Sequence, residues 1–411
     1  MGKVIAIFGT MDTKGEDYFF LKEKIEEAGL KTLLIDTGLA SMAAYPCDVS
    51  SEEVIAAGGS STEEIRRHER TYAFEVIGHG STEIVCGLCR KGAIDGVISM
   101  GGGQGTLLAV MVMRELPVGF PKVLVSTIAN LRTLPFEGVN DTVVMNSLVD
   151  ISGSNGILRM VMTNAAHAIV GMVEHTEKAV AARETKKPRV GITMFGITTP
   201  CVERVCAILK AQGFDVVVFH VNGQGGKMLE RMIREGMLNG VLDVTTGELG
   251  QEYMGGTCTA GCHRLEAGPE RGIPMVVVPG ALTNANFMPP STVPEKYQHN
   301  KAYLHNPNLV LVRADQRESV EIGRIFAEKI NRCTGPVEVL LPERGTSLYD
   351  SPGGPLYDEA ANRVMFDEIC RTLRSDIPVV RMDVTVNDEA FAVRIAEDFL
   401  KLYHLKGNGE Y

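Results

Sequence analysis

The stretch Gly101-Gly-Gly-Gln-Gly-Thr106 has the residue types that hold an anion. It follows an apolar run, Gly96–Met100, and precedes a helical pattern that reaches about Glu115. Glycines after a strand let backbone N–H groups approach an anion with no Cβ in the way. The N-terminus of the next helix adds partial positive charge. A hydrogen bond to a charged group contributes about 1.5–3 kcal/mol, so about three or four of them would hold a phosphate. Gly101, Gly102, Gly103, Gln104, Gly105 and Thr106 are therefore candidate phosphate contacts. The stretch is not a Walker A loop, since Gly-Lys-Ser/Thr is missing. It is a poor dinucleotide fingerprint as well. Thr106 replaces the third small residue, and no acidic residue lies about 20 positions on, within Pro121–Thr127.

A second polar turn, Gly9-Thr-Met-Asp-Thr-Lys-Gly15, leaves the first apolar run and leads into a helix. Thr10 and Thr13 offer hydroxyls, and Lys14 can neutralise phosphate. Asp12 can hold magnesium through water or cap the helix. Parallel βα units place both turns on the same edge of a sheet. Ser126 and Thr127, at the end of a further strand, could complete a nucleotide-triphosphate site.

The second half repeats this arrangement with fewer charges. Thr198 and Thr199 lie in Gly196-Ile-Thr-Thr-Pro200, and Gly223, Gly225 and Gly226 lie in Asn222-Gly-Gln-Gly-Gly226. With Asn286 and Asn306 they are candidate substrate contacts. His220, Glu248 and His305 are the candidate catalytic groups, because each sits at or just beyond a strand end. Asp243 falls inside its strand and reads as structural. Cys258, Cys262 and His263 supply only three ligands over a short span, too few to close a tetrahedral zinc shell. Cys86 and Cys89 read as core positions on a helix. No Gly-x-Ser-x-Gly elbow is present.

The elements that must position these groups alternate from end to end. Strand-like runs at Val4–Phe8, Thr32–Asp36, Gly96–Met100 and Pro121–Thr127 are separated by helical patterns such as Glu16–Ala28. Ser50-x-x-Glu53 and Ser61-x-x-Glu64 are capping-box patterns. A long apolar periodic stretch, Asp150–Ala182, closes the first half. Ala181–Arg189 is charged, lacks large apolar residues and ends near a proline, so it reads as a linker. Strands then restart at Val190–Phe195 and continue through Asp215–Val221, Gly240–Thr246, Ile273–Pro279, Asn308–Asp315, Val337–Pro342 and Val379–Val386. The expectation is α/β: two doubly wound, Rossmann-like parallel-sheet domains, residues 1–182 and 190–411. Strand–Phe-Gly–helix–Gly–strand opens both halves, at Phe8-Gly9 and Phe195-Gly196, as in weak copies of one unit.

The chain has 411 residues and carries 41 Lys plus Arg against 51 Asp plus Glu, a net charge of −10. That balance opposes phosphate backbones and anionic membranes, so no nucleic acid or membrane partner is expected. Hydrophobic residues at 45% and charged residues at 22% exclude wholesale disorder. Nine scattered cysteines fit a reducing cytoplasm, and no apolar run approaches the ~20 residues of a membrane helix.

Taken in order, these motifs resemble the Tm-type (tobamovirus-resistance protein-like) ATP-binding family, an uncharacterised protein family, over about residues 3–400. The resemblance rests on Gly9-Thr-x-Asp-Thr-Lys-Gly15, Gly101–Thr106, Leu116-Pro-x-Gly-x-Pro-Lys122, Asp150-Ile-x-Gly-x-Asn155 and Asn164-Ala-Ala166 in the first half. In the second half it rests on Ile192-Thr-Met-Phe-Gly-Ile-Thr-Thr-Pro-Cys-Val202, Gly223-x-Gly-Gly226, Pro279-Gly-Ala-Leu282 and His305-Asn-Pro307. It implies two Rossmann-like domains, a homodimer, and ATP with Mg2+ bound in the N-terminal half through Thr10, Asp12, Thr13, Lys14 and Gly101–Thr106. It implies no particular reaction.

The sequence thus leads to the expectation of a cytoplasmic ATP-using enzyme of small-molecule metabolism. ATP-Mg would sit in the N-terminal domain and an organic substrate in the interdomain cleft. The alternative is a non-catalytic, nucleotide-gated dimeric binding module. A nicotinamide oxidoreductase is disfavoured by the missing fingerprint.

Overall fold

The computed structural model describes residues 2–39, 45–129, 141–153, 155–176 and 187–407. It divides into two compact units, Met1–Glu184 and Thr185–Tyr411. The core of the expected linker, residues 181–186, lies outside the described residues.

In the first unit five strands form one parallel sheet: β1 (Val4–Gly9), β2 (Lys31–Asp36), β3 (Gly96–Gly101), β4 (Lys122–Ser126) and β5 (Val143–Asn146). Their order is β2-β1-β3-β4-β5, so the winding reverses between β1 and β3. Strand periodicity decides which helices cover which face. Ile5 and Ile7 point to the face covered by α1 (Met11–Glu27) and α6 (Gly156–Glu174). Ala6 and Phe8 point to the other face, covered by α2 (Ser51–Ala57), α4 (Arg70–Arg90) and α5 (Gly103–Met113), with the short α3 at Thr62–Ile65. Ser50 and Glu53 form the full capping box that their spacing predicts, and Ser61 caps α3 through the Glu64 amide. Among the described residues α6 is the one helix long and apolar enough to cross a membrane, contrary to the reading of the sequence. Leu158, Val161, Met162, Ala165, Ile169 and Val173 on it are nonetheless buried against the sheet.

The second unit has a six-stranded parallel sheet. Its strands are β6 (Arg189–Met194), β7 (Asp215–His220), β8 (Gly240–Thr245), β9 (Met275–Gly280), β13 (Val337–Pro342) and β14 (Val379–Met382). The order β14-β13-β9-β8-β6-β7 repeats the winding of the first sheet, with the reversal between β6 and β8. One face carries α7 (Thr199–Ala211) and α13 (Glu389–Gly407). The other carries α8 (Gln224–Arg234), α9 (Glu248–Met254), α10 (Ala267–Arg271), α11 (Gln316–Ile330) and α12 (Glu359–Thr372). The chain is thus α/β with two doubly wound parallel sheets, as the strand–helix alternation predicts.

One strand expected in the parallel series belongs elsewhere. Leu309–Arg313 (β12) pairs antiparallel with Asn284–Phe287 (β10) and Ala302–Asn306 (β11) in a separate three-stranded sheet. Its apolar alternation marks a strand but not the sheet it joins. Its two partners are short and carry Asn284, Asn286, His305 and Asn306, so they read as loops in the sequence.

Candidate functional site

Both polar turns of the first unit lie at the carboxyl ends of β1 and β3, at the winding reversal where doubly wound sheets bind ligands. Neither is a free loop. α1 starts at Met11, so Asp12, Thr13 and Lys14 lie in its first turn, with a non-helical break at Lys14 (φ −133°). α5 starts at Gly103, so Gln104, Gly105 and Thr106 are helical.

Tyr18 ties the two turns together. Its hydroxyl donates to the Met100 carbonyl and accepts the Met100 amide at 3.2 Å. Gly9 is required by this contact, since a Cβ there would stand 1.8 Å from the Tyr18 oxygen. Burial pushes the Tyr18 phenol up to about 12, so it stays protonated and able to donate.

The residues of the glycine stretch then separate into two groups. Gly101 is needed for packing, because a Cβ would meet the Gly105 Cα at 2.7 Å. Thr106 and Ser126 are fully buried, joined hydroxyl to hydroxyl at 2.7 Å, and Thr106 also reaches the Gly101 carbonyl. They brace the turn and present no free hydroxyl to a ligand. Gly103 is different: it is exposed, its φ is not positive, and, beyond its chain neighbours and its own helix backbone, no heavy atom of the described residues lies within 4 Å of where its Cβ would be. Gly102 is the N-cap and provides no side-chain cap. First-turn amides have no intrahelical acceptor. Among the described residues the N-terminus of α5 is therefore open, uncapped and lined by glycine. Thr127 borders it, its Oγ1 lying 3.7 Å from the Cβ position of Gly102.

The charged and hydroxyl groups expected to serve a phosphate have partners within the chain. Lys14 Nζ donates to the Ile151 carbonyl. Asp12 Oδ2 accepts the Leu39 amide at 3.2 Å, and the hydroxyls of Thr13 and Thr10 are 3.1 Å apart. Arg70, which the sequence reading missed, brings its guanidinium to Gln104 Oε1 at 2.9 Å. It lies 34 residues away in sequence, at the start of α4, and only the fold joins the two. Asp36 was also missed. It ends β2, is 2% exposed, and takes the Met11 and Gly38 amides on Oδ1 at 3.0 and 2.8 Å. Burial raises its pKa against the pull of those two bonds.

The second unit uses its glycine turn differently. Glu248 Oε1 accepts the Gly223 amide at 2.7 Å and the Gly226 amide at 3.2 Å, at the N-terminus of α8. Glu248 Oε2 takes Arg264 Nε at 2.7 Å. Arg264, 1% exposed, also makes a two-pronged bond to Asp243 at 2.6 and 2.7 Å and reaches Glu230 at 3.3 Å. Burial alone would lower the Arg264 pKa, but Asp243, Glu248 and Glu230 raise it well above its ordinary value, so it stays charged. Burial raises the Glu248 carboxyl, and Arg264 works against that rise. Asn222–Gly226 thus already holds an anion, the protein's own, and Glu248 acts as a brace.

The other candidates scatter. Thr198 is buried and bonded to Thr245 Oγ1 at 2.7 Å, and Thr199 reaches the Phe195 carbonyl at 3.4 Å. Gly225 is pressed against the His220 carbonyl. His220 is exposed and stacks on Phe195 with ring centroids 5.3 Å apart. His305 and Asn306 lie on exposed β11, where His305 Nδ1 is 3.1 Å from the Tyr349 hydroxyl. Asn286 Oδ1 accepts Gln251 Nε2 at 3.1 Å. Cys258 is half-buried, Cys262 is exposed, and His263 bonds Glu266 at 2.9 Å.

Two family models match the chain in order. The N-terminal domain of the uncharacterised protein family UPF0261 covers residues 3–178, and its C-terminal domain covers residues 187–403. A UPF0261 protein of Clostridium tetani is 41% identical over 404 residues, covering 98% of this chain and 99% of that protein. A UPF0261 protein of Rhizobium meliloti is 38% identical, covering 95% of this chain and 96% of its own length. The ToMV resistance protein Tm-1 of Solanum lycopersicum is 38% identical over 311 residues, which is 75% of this chain and 41% of the tomato protein. Matched along both domains and by relatives of nearly equal length, the chain belongs to the UPF0261 family.

Proposed function

We propose that this chain is a cytoplasmic ATP-using enzyme that binds ATP with magnesium in its first unit and acts on a small organic substrate. The observation that carries the reading is the N-terminus of α5: uncapped, glycine-lined, and with open space at the Cβ position of Gly103, at the winding reversal of the sheet. Backbone amides and the helix end suit phosphate there. Arg70 and Lys14 are the cations nearest in role, and Thr127 and Thr13 offer hydroxyls.

Magnesium fits in the manner usual for nucleotide sites, where one or two carboxylates share the ion with phosphates and water. Asp12 in the first turn of α1 is the carboxylate that would take part. No group of three or more His, Cys, Asp or Glu side chains among the described residues could hold a metal by itself. When bound, ATP would supply a transferable phosphoryl or nucleotidyl group. The chain's own part is to fix the phosphates by amides and to hold the two turns in register through Tyr18. A homodimer accompanies this reading through the family resemblance alone.

Incubation with MgATP, alone and with pooled carboxylates or sugars, tests it. ATP consumption that depends on a small molecule supports the enzyme. Binding without consumption across a wide panel supports a nucleotide-gated module instead. No binding at all would remove both.

A further inference from the structure

The second sheet has its own small recess at its winding reversal. Phe195 and Ile197 after β6, Thr245, Gly247 and Glu248 after β8, and Ala281 after β9 border it. Asn284 and Asn286 of β10 close its far side, together with Gln251. As it stands it holds little more than a water molecule, so it admits the head of a ligand and not a whole substrate.

Most of its polar groups are already used. Gln251 donates to Asn286 Oδ1 and accepts the Asn286 amide at 2.9 Å. Glu248 is held by two amides and Arg264, and Thr245 by Thr198. Asn284 is the exception. It is 3% exposed, and neither Oδ1 nor Nδ2 has a partner among the described residues. A buried donor and acceptor left unmade cost stability and call for a reason. Next to it in the wall, Ala281 holds φ at +52°, a conformation that costs a non-glycine residue energy.

We infer that this space is a binding site for the head of a small neutral amide, a group that presents one acceptor and one donor side by side to the Asn284 carboxamide. The charge of the walls selects the class. The one ionised lining residue is Glu248, an anion, so a carboxylate or phosphate would meet like charge and would leave Asn284 Oδ1 without a donor. The amide nest that could have taken an anion nearby is filled by Glu248. Phe195, Ile197, Val221 and Leu311 supply apolar walls for the carbon side of such a head. This inference goes beyond nucleotide binding and is read without ATP.

The test is a titration of the full chain, labelled with 15N at asparagine, with acetamide and lactamide against acetate and lactate. The Asn284 side-chain signal is the one absent from Asn284→Leu. It should shift saturably with the amides, at least about 10-fold more tightly than with the acids. Asn284→Leu should melt higher than wild type, because it removes two unmet polar groups, and the Asn286 side-chain signal from the same wall should shift with the amides in wild type and not in this variant. If Asn284→Leu does not fold, Asn284→Asp keeps the volume, removes the donor, and should lose the preference for amides as read on the Asn286 side-chain signal. No saturable shift would mean an ordered water only and would overturn the inference. Equal shifts from acids and amides would overturn it as well.

Discussion

Glu248 Oε1 sits 2.7 Å from the Gly223 amide, in the place a bound anion would take at the start of α8. The corresponding end of α5 in the first unit has Gly102 and Gly103 and no cap from a side chain. Two turns of similar composition therefore differ in kind: one is filled by the chain and braced by Arg264, and the other is open among the described residues.

The filled turn should behave as structure. Glu248→Gln keeps an acceptor for the glycine amides but sets an NH2 against Arg264 Nε–H. Removing one partner of a buried pair costs about 3–5 kcal/mol, and Gln should lie near the lower end. Arg264→Met strands Asp243 and Glu248 together and should cost more. Urea unfolding monitored by circular dichroism gives the order. A change below about 1 kcal/mol for Arg264→Met would show that the network does not brace the unit.

Tyr18 gives a pH dependence with a definite sign. Its phenol has an ordinary value of 10.0 and is raised to about 12 by burial. The folded chain then keeps a proton that the unfolded chain loses, so this stability is complete below pH 10 and falls as pH rises toward about 12. The loss should be on the order of 2–3 kcal/mol. Tyr18→Phe should flatten that part of the stability curve, measured by urea unfolding between pH 9 and 12. An unchanged slope in the variant would contradict the assignment.

Lys14 holds the Ile151 carbonyl, which sets its contribution to nucleotide binding beside a structural one. Lys14→Ala should weaken ATP by roughly 10- to 150-fold, the value of a charge-assisted contact, and weaken AMP less. Lys14→Arg should recover part, because a planar fork does not reproduce a point charge. Calorimetric titration of both nucleotides separates the roles. Equal losses for ATP and AMP would leave Lys14 as a tether for the Ile151 segment only.

The fold was legible because apolar periodicity changes from strand to helix at nearly every glycine turn, and the repeat of Phe8-Gly9 at Phe195-Gly196 falls at or just past the carboxyl ends of equivalent strands, β1 and β6. The antiparallel sheet was not legible, because Asn284–Phe287 and Ala302–Asn306 are only four and five residues long, and the pairing that makes them strands is not local. Site residues divide the same way. Gly101–Thr106 announces itself by composition. Arg70 and Glu248 act through contacts 34 and 25 residues away, which no spacing rule reveals. Asp36 carried a signal that could have been used, an acid at the end of the strand beside β1. The open space at Gly103 and the missing partners of Asn284 exist only once the chain is folded.

The central claim, that the open end of α5 holds phosphate, is tested most directly at Gly103. A Cβ there meets no other side chain or loop among the described residues and the backbone needs no positive φ, so Gly103→Val should melt within about 0.5 kcal/mol of wild type. The branched side chain would stand where phosphate must approach. Calorimetric titration of MgATP into wild type and Gly103→Val is the measurement. The account predicts binding to wild type and a loss of at least about 10-fold in the equally stable variant. Wild-type affinity in a folded Gly103→Val would contradict it.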